Sequence, residues 1–278
     1  MNLGWLRSIL YGLVSGITEF LPISGQAHRI LLLQFFGYGE ETGLLALMVH
    51  LGLMAALLLC MGERLRGVLR ERAILQMPMR RRHRMPDPQK LLEWKLLCRV
   101  IPWVLIGNLF SLRKDVVSGG LGMLALQILF HAVILFIPTR MAQGNKDCRN
   151  MTPLDCISVG IGGGISVLPG ISSMGAMTSF AAASGIARTY AVDFCLMIMV
   201  PLTALRSLLD VAGIVSGGIQ ISGFSGALQC LTVALTAFGG GFLGIQILRR
   251  WAEKSDFLNF AYYSVGLALF TFIVYIIV

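Results

Sequence analysis

The stretch Gly16-Ile17-Thr18-Glu19-Phe20-Leu21-Pro22-Ile23-Ser24-Gly25-Gln26-Ala27-His28 constrains this chain more than any other. It lies inside a long apolar region, yet it sets a carboxylate, two hydroxyls, an amide and an imidazole around a helix-breaking proline. Hydrocarbon offers no partner to a loose backbone amide or a lone charge, so such a cluster must face protein or trapped water. A related stretch returns later as Ile165-Ser166-Val167-Leu168-Pro169-Gly170-Ile171-Ser172-Ser173-Met174-Gly175-Ala176. The chain is expected to bring these two broken segments together at membrane depth.

The setting for that expectation is a chain of 278 residues, 56% hydrophobic and only 13% charged. Soluble domains carry about 25% charged residues, so this composition describes an integral membrane protein. The net charge of +9 would raise nucleic acid as a partner in a soluble protein. Here the basic residues bunch between apolar spans, as they do in cytoplasmic membrane loops, and nucleic acid is set aside. Cys60, Cys98, Cys148, Cys156, Cys195 and Cys230 form no C-x-x-C pair, so neither a disulfide framework nor a zinc site is indicated. Arg7 precedes an apolar run, but the cluster at Glu19 stands where a small-residue cleavage site would be, and a retained segment is expected.

In chain order, residues 5–37 form an apolar region interrupted from Pro22 to Gly25. Proline removes a donor and blocks the preceding turn, which favours two half-helices joined by a polar elbow. Spans are expected over 44–61, 96–112 and 119–138, with the polar turn Arg113-Lys114-Asp115 between the last two. A second interrupted region, 154–183, breaks at Pro169-Gly170, and spans over 191–211, 227–248 and 258–278 follow. Basic loops fall at 63–95, 140–153 and 249–256, the first broken by Pro78, Pro86 and Pro88 and expected as partial helix with a flexible middle. All three reach the cytoplasm only if both interrupted regions are re-entrant, and both termini are then external. The expected fold is a single all-α membrane domain over 1–278, with about six transmembrane helices and two re-entrant helical hairpins. Three crossings per half make the halves, about 1–139 and 150–278, an inverted repeat with its site at the repeat interface.

Glu19 is the most informative residue. An ionised carboxylate costs several kcal/mol in hydrocarbon, so it is paired, protonated or bound to a cation. It reads either as a protonated group bonded to the broken backbone or as a metal ligand or general base. His28 can fold back toward Glu19 or serve as a satisfied core histidine. Ser24 reads as a nucleophile activated by His28 or as a helix cap, the cap being favoured. Thr18, Ser172, Ser173 and Thr178 add hydroxyls and Gln26 an amide, while Gly25, Gly170 and Gly175 let backbone amides approach a ligand. Amides at half-helix N-termini suit phosphate oxygens, though glycines also serve close helix packing. Arg29 can reach the same anion or extend to the surface. His50 reads chiefly as a hydrogen bond to a neighbouring helix. Asp193 and Arg206, thirteen apart, make no local pair, and each faces the interior or an end.

These residues together resemble the undecaprenyl-diphosphatase, or bacitracin-resistance, family of membrane pyrophosphatases. Its first signature, roughly E-G-L-T-E-F-L-P-V-S-S-T-G-H, aligns with Ser15 to His28, and its second, P-G-x-S-R-S-G-A-T, with Pro169 to Thr178 after one extra residue. The likeness continues through Gly185-Ile186-Ala187-Arg188, Met199-Val200-Pro201 and Phe260-Ala261-Tyr262-Tyr263-Ser264-Val265-Gly266. It implies removal of the terminal phosphate of undecaprenyl diphosphate with Mg²⁺ or Ca²⁺ at the outer face of a bacterial plasma membrane, which recycles a cell-wall lipid carrier. Carried over position by position, it implies catalysis by Glu19, Ser24 and His28, a metal on Glu19, and substrate contacts from Thr18, Gly25, Gln26, Gly170, Ser172, Ser173, Gly175 and Thr178. The polyprenyl diphosphate and the bilayer are the partners implied, and a homodimer is left open.

The chain departs from that pattern at charged and polar positions. Ser15 stands where the signature has a glutamate, Gly25 where it has a serine, and Ser173 or Met174 where it has an arginine. Ser264 replaces a final-span arginine and His50 a glutamine. One arginine can be worth about 10³–10⁵ in phosphoryl-transfer rate. His50, Arg29, Arg188 and Arg206 are the residues available to compensate. The alternative function is a non-hydrolytic binder or flippase for a polyprenyl phosphate or similar amphiphile.

Overall fold

The computed structural model describes residues 4–38, 41–82, 84–110, 119–217, 223–254 and 257–277. The first interrupted region folds as α1 (Trp5–Phe20) and α2 (Gly25–Phe35), and the second as α6 (Pro153–Gly164) and α7 (Ser173–Ala183). A short 3₁₀ turn, Ile165–Val167, continues α6 into its elbow. Between them lie α3 (Gly43–Gln76), α4 (Pro88–Leu109) and α5 (Gly120–Phe136). α8 (Arg188–Gly217), α9 (Gly223–Lys254) and α10 (Leu258–Ile277) complete the chain. No strand occurs among the described residues, so the architecture is all-α.

Local signals set these boundaries. Thr42 and Asp87 accept from the first-turn amides of Leu45 and Gln89, and Pro88 opens α4 where its missing N–H costs nothing. Thr152 and Asp155 form a reciprocal capping box at the start of α6. The basic stretch over 63–95 is helical at both ends, as expected of a partly helical stretch broken by prolines. α3 runs 34 residues, about 51 Å, and carries its arginines well past the apolar segment. Only the proline-marked stretch between Gln76 and Pro88 leaves the helix, apart from one 3₁₀ turn at Met79–Arg81.

Among the described residues, five helices are long and apolar enough to cross a membrane: α3, α5 with its extension to Arg140, α8, α9 and α10. The sixth expected span falls in α4. At 22 residues α4 is long enough, but its first twelve residues carry Lys90, Glu93, Lys95 and Arg99, and it is not among the five. The turn Arg113-Lys114-Asp115, the end of the span expected over 96–112, and Ser255 and Asp256 of the third basic loop lie outside the described residues.

The packing has a pattern. α1 lies along α9 and α6 along α4, α5 pairs with α10 and α3 with α8, and α3 also packs along α9 more extensively than its counterpart α8 does along α4. Exchanging the two halves turns the α1–α9 pair into the α6–α4 pair and leaves the α5–α10 and α3–α8 pairs unchanged. Both exchanged pairs are glycine crossings. A Cβ on Gly16 would lie 2.4 Å from the Ala237 carbonyl oxygen, and one on Gly107 only 2.3 Å from Gly164 Cα. Without a hydrophobic drive between helices in lipid, such backbone contact is what holds them.

Candidate functional site

The two elbows meet and lock reciprocally. Ser24 caps α2 by accepting from Ala27 N at 3.2 Å, and its hydroxyl donates to the Pro169 carbonyl at 2.6 Å. Ser172 caps α7 by accepting from Gly175 N at 3.1 Å, and its hydroxyl donates to the Leu21 carbonyl at 3.1 Å. α5 braces both elbows: Gln127 accepts from Gly170 N at 3.1 Å, and His131 Nε2 donates to the Pro22 carbonyl at 3.3 Å. The Leu21, Pro22 and Pro169 carbonyls and the Gly170 amide freed by the breaks therefore have protein partners, as a membrane interior requires. Ser24 holds φ +61°, the one positive value at a non-glycine among the described residues. That conformation costs on the order of 1–3 kcal/mol and persists because the surrounding bonds fix it.

Behind the elbows, Glu19 is buried between two guanidinium groups. Arg29 Nη1 lies 3.0 Å from Oε2 and Arg206 Nη1 2.8 Å from Oε1. Arg206 turns its other nitrogen to neutral oxygens, at 2.9 Å from Ser173 Oγ and 3.2 Å from Asn108 Oδ1. Arg29 Nε lies 3.3 Å from Glu41, which also accepts from the Tyr11 hydroxyl. His50 Nδ1 stands 2.5 Å from Asp210 Oδ2. These groups surround a cavity of about 150 Å³ lined by Gln26, Arg29, Glu41, His50, Arg206 and Asp210, with Asn108 and Ser166 alongside. Small-molecule pockets usually measure about 300–1,000 Å³, so this one suits a head group and not a lipid tail.

The residues expected from sequence divide into three sets. Glu19, Gln26 and Ser173 reach the cavity or the arginines that line it. Ser24, Ser172, Gly170 and Gly175 build the elbow contact, where a Cβ on Gly175 would come within 2.5 Å of His131. Gly25 packs on Glu19 itself, a Cβ there lying 2.5 Å from Oε2. The remaining groups turn away. Thr18 and Thr178 donate to carbonyls four residues back on their own helices. His28 Nδ1 bonds the Ser24 carbonyl at 2.8 Å, so Nε2 of the neutral ring accepts from Tyr263 at 2.7 Å, and the two rings stack. Both His28 nitrogens and the Ser24 hydroxyl are thus engaged.

Glu41, Asn108, Ser166 and Asp210 were not singled out from sequence. Asp210 had a signal, since it lies one helical turn beyond Arg206 and shares its face of α8. Arg206 and Arg29 do reach the site, whereas Arg188 opens α8 and does not line the cavity. The resemblance also implies Mg²⁺ or Ca²⁺ on Glu19. Each Glu19 oxygen already accepts from a guanidinium, and no cluster of three His, Cys, Asp or Glu side chains able to hold a metal occurs among the described residues. In this arrangement the residues do not fit a metal held by Glu19.

The family model described as Bacitracin resistance protein BacA matches residues 8–270. The chain belongs to the BacA family. Among curated relatives of this BacA-family chain, an undecaprenyl-diphosphatase of Carboxydothermus hydrogenoformans is 26% identical over 259 residues, covering 92% of each chain. One from Clavibacter michiganensis is 27% identical, covering 96% of this chain and 95% of its own. One from Methanobrevibacter smithii is 28% identical, covering 95% and 96%. The BacA match takes in both elbows and nearly every helix, so the altered charged positions sit inside an otherwise complete family framework.

Proposed function

We propose that this BacA-family protein hydrolyses undecaprenyl diphosphate to undecaprenyl phosphate and so returns the lipid carrier to cell-wall synthesis. The observation that carries this reading is a buried arginine, Arg29, and a partly buried one, Arg206, beside a head-group-sized cavity within a membrane bundle. Arg206 offers Nη2 to neutral oxygens of Asn108, Ser166 and Ser173, which phosphate oxygens can replace without leaving an anion unpaired. Charge neutralisation and positioning supply most of the catalysis in phosphoryl transfer, and Arg206 and Arg29 are placed to supply both. Ser173, one of the two positions that align with the family's arginine, accepts from Arg206 at 2.9 Å.

The same reading places the protein in a bacterial plasma membrane with its basic segments cytoplasmic and its termini external. It treats the halves as an inverted repeat, which the exchange-symmetric helix pairing supports. A homodimer is compatible with this plan. Any divalent cation would arrive with the diphosphate, because Glu19 has no oxygen free of a guanidinium.

The second reading, a non-hydrolytic binder or flippase, is favoured by one observation: Ser24 and His28 are held in structural hydrogen bonds. Phosphate release by the purified chain from undecaprenyl diphosphate separates the two. The hydrolytic reading expects release well above that of Glu19→Ala. Release no greater than that control, with lipid transfer across proteoliposomes, would establish the second.

A further inference from the structure

His50 is 5% exposed and sits against the cavity with Asp210 at its Nδ1. A carboxylate only accepts, so the proton of the neutral ring lies on Nδ1 and Nε2 presents a lone pair. That Nε2 is buried and has no hydrogen-bond partner among the described residues. An unsatisfied buried polar atom costs about 1–3 kcal/mol, and a group entering the cavity would remove that cost. The charged groups around the ring come from several elements: Asp210 and Arg206 from α8, Glu19 from α1, Arg29 from α2, and Glu41 ahead of α3. α4 contributes the neutral Asn108, and α9 carries no charged residue before Arg249.

An imidazole oriented by a carboxylate, with its second nitrogen left unpartnered on a residue that lines the cavity, is the arrangement of a general base. We propose that His50 is the catalytic base of the hydrolysis and Asp210 its positioning residue. The assignment rests on the hydrolytic reading given above. In the step, Nε2 takes a proton from a water in the cavity as the water oxygen bonds to the terminal phosphorus. The bond from that phosphorus to the bridging oxygen breaks, and its electron pair stays on the bridging oxygen, which leaves as part of the lipid monophosphate. The imidazolium then returns the proton to that oxygen. Arg206 and Arg29 hold the transferred group. His28, with both nitrogens bonded, takes no part in the proton transfer.

The test uses the full chain purified in detergent and steady-state release of phosphate from undecaprenyl diphosphate. His50→Gln is expected to lower kcat by about 100-fold or more with KM changed little, the size of a lost general base. Asp210→Asn is expected to lower kcat by about tenfold or more, again with KM preserved, because the carboxylate then no longer fixes the tautomer. Added imidazole is expected to restore part of the kcat of His50→Ala, an effect a merely structural role would not give. Thermal unfolding of each variant confirms that the fold is retained. A His50→Gln enzyme with wild-type kcat, or one altered in KM alone, overturns the assignment and leaves the hydrolytic reading intact. Failure of imidazole to raise the kcat of folded His50→Ala also overturns it. No release by the wild-type chain overturns that reading and this assignment with it.

Discussion

Replacing Glu19 should do more damage than replacing either arginine beside it, and the geometry sets the order. Three carboxylates (Glu19, Glu41 and Asp210) face two guanidinium groups, Arg29 and Arg206, around the cavity. Glu19 alone touches both guanidinium groups, at 3.0 and 2.8 Å. Glu19→Gln leaves Arg29 with Glu41 as its one carboxylate partner, while Arg206 keeps only neutral oxygens. Arg206→Met removes one cation and leaves Glu19 bound to Arg29. Breaking a buried ion pair from one side costs about 3–5 kcal/mol. Glu19→Gln should fall at the upper end or beyond and Arg206→Met at the lower end. A loss of that size lowers the melting temperature on the order of 10 °C for a chain of this length. The double variant should cost less than the sum of the two single changes, with a coupling of about 0.5–3 kcal/mol. Thermal unfolding of the four proteins in one detergent measures all of this. A Glu19→Gln protein melting within a degree of wild type, or strictly additive losses, would refute the bridging role.

Gly25→Ser, which restores the residue of the family signature, should destabilise the chain by at least about 1–3 kcal/mol. Its Cβ would stand 2.5 Å from Glu19 Oε2 and 2.8 Å from Glu19 Cα, and the second contact is backbone that cannot swing aside. An unchanged melting temperature would show that the elbow relaxes. Titration of lipid-free protein with Mn²⁺, followed by its electron spin resonance, should reveal no tight site, since guanidinium groups already occupy both Glu19 oxygens. Stoichiometric binding that disappears in Glu19→Gln would show that the arginines yield to a metal.

The elbows were legible because proline and uncompensated polar groups in an apolar run admit few structures, and the second elbow repeated the signal. The basic stretch was legible as partial helix, but how far each helix runs into it was harder to see. Arginine, leucine and glutamate are good helix formers, and only Pro78, Pro86 and Pro88 oppose them. The partners of the polar groups were hidden for a different reason. Glu19 meets Arg206 across 187 positions and His50 meets Asp210 across 160, and no local spacing encodes such a meeting. Nearness in sequence even pointed to the wrong side chain. Gly25 and Arg29 are four apart and share the face of α2 that touches Glu19, whereas His28 lies about 100° around the helix and turns to Tyr263.

The altered charged positions make sense as a set. Ser15 and Ser264 stand where the family pattern has a glutamate and an arginine, and each donates its hydroxyl to a carbonyl of its own helix. Those positions are thereby neutral and self-satisfied. Charge returns at Arg29, Glu41, Arg206 and Asp210, all on the cavity wall. Burying any one of these alone would cost several kcal/mol, so none is stable without the others. Arg206 needs Glu19, which in turn is gripped by both arginines, and Gly25 leaves the room for that grip. Asp210, one turn past Arg206, then has His50 as its partner in place of a guanidinium. The consequence is a site whose positive groups come from α2 and α8, with the second elbow motif supplying only hydroxyls. Restoring an arginine at Ser173 would set it against Arg206, 2.9 Å from the present hydroxyl, and two guanidinium groups cannot share that position without another anion.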